Sequence, residues 1–153
     1  MRNLQQLIEE CDLVVYTDGS CEPVNPYGNM GWGYAIKDCT GQLVTTGTGY
    51  EPEGDENSNN VAEYMGLHDA VIWLIQNKHH NKSILFLSDS QLVVNQMGGL
   101  WRIKDGLYRK SALVCKALID EWFTNSRFIW IPRELNTEAD ELSKQAQEEI
   151  YTH

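Results

Sequence analysis

The fold turns on residues 13–50, LVVYTDGSCEPVNPYGNMGWGYAIKDCTGQLVTTGTGY. LVVYT is a β-branched and aromatic run that reads as a strand ending near Asp18. DGSCEPVNPYGN (18–29) is rich in Gly, Pro and Asn and reads as a loop or turn. GWGYAIKD (31–38) reads as a second strand, DCTG (38–41) as a turn and QLVTTGTGY (42–50) as a third strand. Three strands this close in sequence imply an antiparallel meander.

Outward from the meander the pattern changes. EPEGDENSNN (51–60) is a polar loop. From Val61 to about Gln76 the apolar residues Val61, Tyr64, Met65, Leu67, Val71, Ile72, Leu74 and Ile75 fall at helical spacing. SILFLS (83–88) is a continuous apolar run of strand length, which fits a central strand covered on both faces. SDSQLVVNQM (88–97) opens a short helix, residues 107–123 form another, RFIWI (127–131) is a fifth strand, and a final helix runs from Asn136 to about Ile150. The order β-β-β-α-β-α-α-β-α predicts an α/β fold. Its sheet is five-stranded and mixed, three antiparallel strands then two parallel ones, with helices on both faces. Residues 1–11 read as a short polar helix or N-terminal extension, and 12–153 as a single domain.

The 153 residues suit one domain with a full core, and an apolar fraction of 42% argues against wholesale disorder. No apolar run is long enough to span a bilayer, and the N-terminus lacks a signal peptide's apolar core. A soluble, cytoplasmic, monomeric protein with no membrane partner is expected. Cys11, Cys21, Cys39 and Cys115 are scattered without a CxxC pair, which argues against a zinc site and for reduced thiols.

The net charge of −10 argues against a nucleic-acid partner, because phosphate binding usually wants a basic face. Binding is local, however. Residues 101–116 carry Arg102, Lys104, Arg109, Lys110 and Lys116 against one acid, Asp105. They are candidates for phosphate contacts, or a solvated helix face.

Four acids have both a local and a functional reading. Asp18 precedes a glycine, as in common turns. Glu63 lies three residues after Asn60, as in a capping box. Asp89 could cap a helix, and Asp140 sits where acids favour the helix dipole. Two features favour the functional reading. Leu67, Ala70 and Leu74 follow Glu63 at i+4, i+7 and i+11, so its carboxylate lies on or beside the buried helix face. A charge there is costly unless compensated, and a divalent cation compensates. Asp18 and Asp89 both follow strands, and ligands gather at the carboxyl ends of strands. Four clustered carboxylates repel, and hard, oxygen-seeking Mg²⁺ removes that repulsion.

TDGSC (17–21), NNVAE (59–63), SDSQLVVNQ (88–96) and NTEADELS (136–143), in this order, resemble the ribonuclease H family, type I. The likeness covers about residues 12–150 and implies that family's fold. It further implies an endonuclease that cuts the RNA strand of an RNA/DNA hybrid, leaving 5′-phosphate and 3′-hydroxyl ends. The family's metal ligands fall on Asp18, Glu63, Asp89 and Asp140, which would bind two Mg²⁺ ions, with Mn²⁺ as a substitute. Asp18 would bridge the ions, and Asp140 would help hold the one nearer the attacking water. Gly19, Ser20 and Cys21 resemble the segment whose backbone approaches the RNA. Asn59, Asn60 and Gln91 resemble minor-groove contacts, where 2′-hydroxyls distinguish RNA from DNA. Ser58 and Asn25 resemble residues that grip a DNA-strand phosphate, and Asn136 joins the substrate-binding set. Ordinary turn and cap chemistry remains an alternative for these contacts.

Two departures from the family pattern matter. Only GGLWRIKDGLYRK (98–110) stands where the bacterial branch carries a long basic insertion. Many members also place a catalytic histidine before the last helix, whereas this chain reads PRELN (132–136) there. His68, His79, His80 and His153 lie elsewhere and are expected to be exposed and incidental. Arg133 is the natural stand-in. Guanidinium stays protonated near neutral pH, so Arg133 cannot act as a general base, but it could steady the scissile phosphate or aid product release. Glu134 is a weaker candidate for proton or metal exchange. Rival readings are a non-catalytic binding module of the same fold, or a nuclease of that fold acting on duplex RNA or DNA junctions.

Overall fold

The computed structural model describes residues 2–152. Strand β1 (Leu13–Glu22) is the axis of a five-stranded sheet of order β3-β2-β1-β4-β5. It pairs antiparallel with β2 (Asn29–Asp38) along its full length, from Leu13 opposite Asp38 to Glu22 opposite Asn29. Edge strand β3 (Leu43–Glu51) pairs antiparallel with β2. On the other side β4 (Ile84–Ser88) runs parallel to β1, and β5 (Ser126–Trp130) parallel to β4. The mixed sheet, three antiparallel strands and two parallel, is the expected one.

One boundary differs from expectation. The Asp18-Gly19 pair is not a turn, and β1 runs on to Glu22. Turn preference is local, and pairing overrides it: Asp18 lies opposite Gly33, and Gly19 opposite Trp32. Gly19 has a packing reason to be glycine, since a Cβ there would sit 2.3 Å from the Ala62 carbonyl carbon.

Helices cover both faces. On one face, α2 (Asn59–Gln76), α3 (Gln91–Met97) and α4 (Arg109–Trp122) bury Tyr64, Leu67, Val71, Leu74, Val93 and Ile119 against Val15, Ile36 and Phe86. On the other face α1 (Leu4–Glu10) lays Leu4, Leu7 and Ile8 on Val14, Leu85, Leu87 and Ile131. The N-terminal residues expected as an extension are thus packed on the sheet. Helix α5 (Thr137–Thr152) crosses β2 on this second face. It comes so close that a Cβ on Gly33 would meet the Leu142 Cβ at 2.5 Å.

The helix starts separate caps from acids. Ser58 caps α2 by accepting the Val61 N–H at 3.1 Å, so Glu63 is free of the capping box proposed with Asn60. Ser90, not Asp89, caps α3 by accepting the Val93 N–H at 3.2 Å. The histidines also depart from expectation. His79 stacks on Trp73 and His80 meets Trp122 edge-on, and both are half-buried. His68 is half-buried beside Asp69, while His153 lies outside the described residues. All four cysteines are free, and no helix among the described residues is long and apolar enough to cross a membrane.

The α5–β2 approach has a measurable consequence. Gly33→Ala forces the helix off the sheet and should cost about 1–3 kcal/mol, as overpacking typically does. Gly54→Ala, whose new methyl meets nothing nearer than 3.8 Å, should stay within about 0.5 kcal/mol of the parent. Urea unfolding of the two variants checks this, and equal losses would refute the close-packing account.

Candidate metal and active site

β4 pairs with β1 only from Leu13 to Tyr16, while β1 continues to Glu22. Beyond Tyr16 the β4-facing edge of β1 is open, and the two faces of the sheet communicate there. Side chains from opposite faces can meet only at such a place. Asp18 belongs to the α5 face and Glu63 comes from α2 on the other, while Asp89 follows the end of β4. One carboxylate oxygen from each of these three lies within 4.8 Å of the others.

Backbone requirements help assemble this cluster. An open strand edge leaves N–H and C=O groups that need partners. The Gly19 N–H donates to Glu63 Oε1 at 3.2 Å, and the Thr17 carbonyl accepts from Asn136 Nδ2 at 2.8 Å. The same Nδ2 lies 3.5 Å from Asp89 Oδ1. The Asp89 carbonyl accepts from the Trp130 indole at 3.1 Å, which steadies the turn after β4.

The electrostatics divide the four acids. Burial and the Asp89 charge push the Asp18 carboxyl up to about 7. Burial and the Asp18 charge raise Glu63 well above the usual carboxylate range. Asp89 is also raised, by burial, although its own backbone N–H, Asn136 and Arg133 oppose the rise. Asp140 goes the other way. Burial acts to raise it, but Lys144 and the other partners outweigh burial and hold it below its usual value. Lys144 Nζ lies 3.0 Å from Asp140 Oδ2, and Arg133 Nη2 lies 3.6 Å from Oδ1.

This donor set fits a divalent cation. Glu63 is 5% exposed, and its Oε2 is buried without a hydrogen-bond partner. A buried carboxylate oxygen in that state is destabilising unless a cation or a proton meets it. All three groups are hard oxygen donors, which suits Mg²⁺, Mn²⁺ or Ca²⁺ rather than a soft metal. Asp140 stands beside the triad, engaged by its two cations.

The cluster opens into a groove of about 320 Å³. Of the residues the sequence pointed to, Asp18, Gly19, Ser20, Cys21, Asn25, Asn59, Glu63, Asp89 and Arg133 line it. Ser58, Asn60, Gln91 and Asn136 are not in its lining. Ser58 is spent on the α2 cap, and Gln91 is exposed at the start of α3. Asn136 is 1% exposed, with its amide turned into the protein toward Thr17. Asn25 accepts the Asn59 N–H at 2.9 Å and ties the β1–β2 loop to α2. Of the basic residues between 101 and 116, Lys116 is used internally, by the Met97 carbonyl and Asp120, and Arg109 lies 3.5 Å from Asp105. Sequence reading missed Lys144, although its i+4 spacing from Asp140 is a legible helical ion-pair signal. It also missed Ser90, which lines the groove as well as capping α3.

Comparison with known proteins follows the same lines. The family model described as reverse transcriptase-like matches residues 16–146. The structure of LC11-RNase H1 in complex with an RNA/DNA hybrid superposes with a TM-score of 0.81 at 30% identity, covering 92% of this chain and 99% of that one. The N-terminal RNase H domain of Rv2228c from Mycobacterium tuberculosis gives 0.80 at 26% identity, covering 94% and 98%. In sequence, the bifunctional protein Rv2228c of M. tuberculosis is 39% identical over 93 residues, 58% of this chain. The chain's match spans 24% of the length of that relative. With motifs, sheet order and family model in agreement, the chain belongs to the ribonuclease H family, within the group described as reverse transcriptase-like.

Proposed function

We propose that this protein is an endonuclease that hydrolyses the RNA strand of RNA/DNA hybrids by two-metal-ion catalysis, leaving 5′-phosphate and 3′-hydroxyl ends. It acts as a monomer in the cytoplasm. The observation that carries the reading is the buried triad Asp18, Glu63 and Asp89, with Glu63 Oε2 unpartnered. Asp18, Glu63, Asp89 and Asp140 would hold two Mg²⁺ ions, with Mn²⁺ as substitute. When bound, such a pair activates water and stabilises the leaving oxygen of a phosphodiester.

The chain's own residues supply the rest. Asp140, kept ionised by Lys144 and Arg133, is a ready anion at neutral pH. Arg133 is 71% exposed at the groove and presents its guanidinium to an incoming phosphate. It stands in for the loop histidine as a charge stabiliser, not as a base. Gly19, Ser20 and Cys21 would approach the RNA backbone, and Asn59 its minor-groove edge. Asn25 lines the groove beside them, Asn60 and Gln91 follow its lining residues Asn59 and Ser90 in sequence, and Ser58 caps α2. Arg102, Lys104 and Lys110, exposed beyond it, would meet phosphates.

The central test uses one labelled strand as RNA/DNA hybrid, duplex RNA and duplex DNA, with Mg²⁺, and with EDTA and Asp89→Asn as controls. Cutting of the hybrid's RNA strand alone, abolished by both controls, is the expected result. Binding without cutting in Mg²⁺ and Mn²⁺ would mark a binding module, and cutting of the other duplexes would mark a broader nuclease. In the same assay Arg133→Ala should lower kcat by about 100–1,000-fold without abolishing it, as loss of an electrostatic stabiliser does, and unchanged turnover would remove Arg133 from the mechanism.

The pH dependence of stability tests the metal reading separately. Asp18, Glu63 and Asp89 hold protons more tightly folded than unfolded, so without metal the unfolded state binds fewer protons as pH rises. Stability then falls from about pH 4 through about 7, the Asp18 value. In EDTA, Tm should drop by several degrees between pH 5 and 8. Mg²⁺ or Mn²⁺ should restore it at pH 8 and do little at pH 5. Glu63→Gln should flatten both effects. A Tm that is level with pH and insensitive to either ion would count against the site.

A further inference from the structure

We infer that Asn136 is a positioning residue: its buried amide sets the geometry of the acidic cluster and does not touch the nucleic acid. This rests on the metal-site reading above and deepens it. Three contacts of this one residue reach the segments that bear Asp18, Asp89 and Asp140, and a fourth closes the turn before α5. The side-chain Nδ2 donates to the carbonyl of Thr17, the residue before Asp18, at 2.8 Å. It also lies 3.5 Å from Asp89 Oδ1. The Asn136 backbone N–H donates to the Arg133 carbonyl at 3.0 Å, and the Asn136 carbonyl accepts the Asp140 N–H at 3.1 Å. Asn136 thus contacts Asp89 and Asp140 directly and Asp18 through the residue before it, while Glu63 instead holds the Gly19 N–H on the far side of Asp18.

The orientation of the amide follows from its neighbours. Thr17 O and Asp89 Oδ1 are both acceptors, so the NH₂ must face them. That leaves Asn136 Oδ1 buried with no partner. An unpaired buried acceptor is destabilising. A residue kept at that cost fits one retained for its donor, at a site where stability is given up for function. No shorter or apolar side chain could carry a donor from the start of α5 to both β1 and Asp89. Removing it leaves the Thr17 carbonyl open and Asp89 free to turn.

The test compares Asn136→Ala with the parent protein in two ways. Mn²⁺ alone is titrated into the protein and followed by calorimetry and by the spin resonance of free ion. Steady-state cleavage of the hybrid then separates kcat from KM. The expected result is an Mn²⁺ affinity lowered by about 10–100-fold, the usual loss when a partner of a ligand is removed. A comparable fall in kcat and a hybrid KM within about twofold should accompany it. Asn136→Leu keeps the approximate shape and loses the donor without adding a charge to the cluster, and gives the same reading should the alanine variant fail to fold. A raised KM with unchanged kcat and unchanged Mn²⁺ affinity would overturn the proposal and return Asn136 to the substrate contacts. A lowered Tm with unchanged Mn²⁺ affinity of the folded fraction would also overturn it, leaving a purely structural residue. Should the parent cleave nothing, the Mn²⁺ titration still decides the role of Asn136, so the two readings fail separately.

Discussion

Strands β1 and β4 are of unequal reach, and the rest of the site depends on that inequality. β4 accompanies β1 no further than Tyr16, whereas β2 holds β1 straight to Glu22. The open edge needs hydrogen-bond partners, and helices on opposite faces supply them. Glu63 of α2 takes the Gly19 N–H, and Asn136 before α5 fills the Thr17 carbonyl. Each side chain that satisfies the edge is thereby carried to Asp18. A β4 longer by a residue or two would pair these groups itself, close the crevice and leave Glu63 with no reason to be there. Satisfying the backbone and assembling the carboxylates are one event.

The arrangement is held against its own repulsion. Three buried or half-buried acids share one crevice, and their carboxyls are raised by burial and by one another. Nothing in the immediate shell neutralises Glu63. Stability must come from elsewhere, and the two packed faces provide it: the large cluster under α2 and α4, and the smaller one under α1. Asp140 is the exception that makes the group asymmetric. Lys144 one helical turn on and Arg133 from the preceding loop keep it charged. The site therefore joins acids that favour a proton or a cation to one that is an anion already.

Much of this was legible in the sequence, and what was not has a common cause. The sheet could be read because each strand is a run of apolar or β-branched residues between clear breakers. The end of β1 could not, because Asp-Gly carries a local turn preference while its pairing with Gly33 and Trp32 is non-local. The acids look like caps because the real caps stand close to them in sequence, Ser58 five residues before Glu63 and Ser90 directly after Asp89. Weighing the serines first would have released Glu63 and Asp89 from that role. His79 and His80 read as exposed because the sequence alone does not show that Trp73, six residues before His79, and the distant Trp122 meet their rings in space. Asn136 illustrates the limit most clearly. At a helix start it reads as polar cap chemistry, and only the folded chain carries its amide across to Thr17.

Charge poses the remaining problem, because a protein of net charge −10 is here proposed to bind a polyanion. The basic segment is smaller than its composition suggests. Lys116 is turned inward and Arg109 faces Asp105, which leaves Arg102, Lys104 and Lys110 exposed without an ion pair among the described residues. Three cations on one segment give a modest grip, since the electrostatic part of affinity scales with the phosphates neutralised. The acidic crevice would add repulsion where the scissile phosphate is proposed to lie. Divalent ions held by Asp18, Glu63 and Asp89 would offset that repulsion, since bound cations are the largest local charges at a carboxylate site. On the proposed reading, metal binding and substrate approach would be coupled through charge, because Asp18, Glu63 and Asp89 would repel a phosphate until a cation offset them.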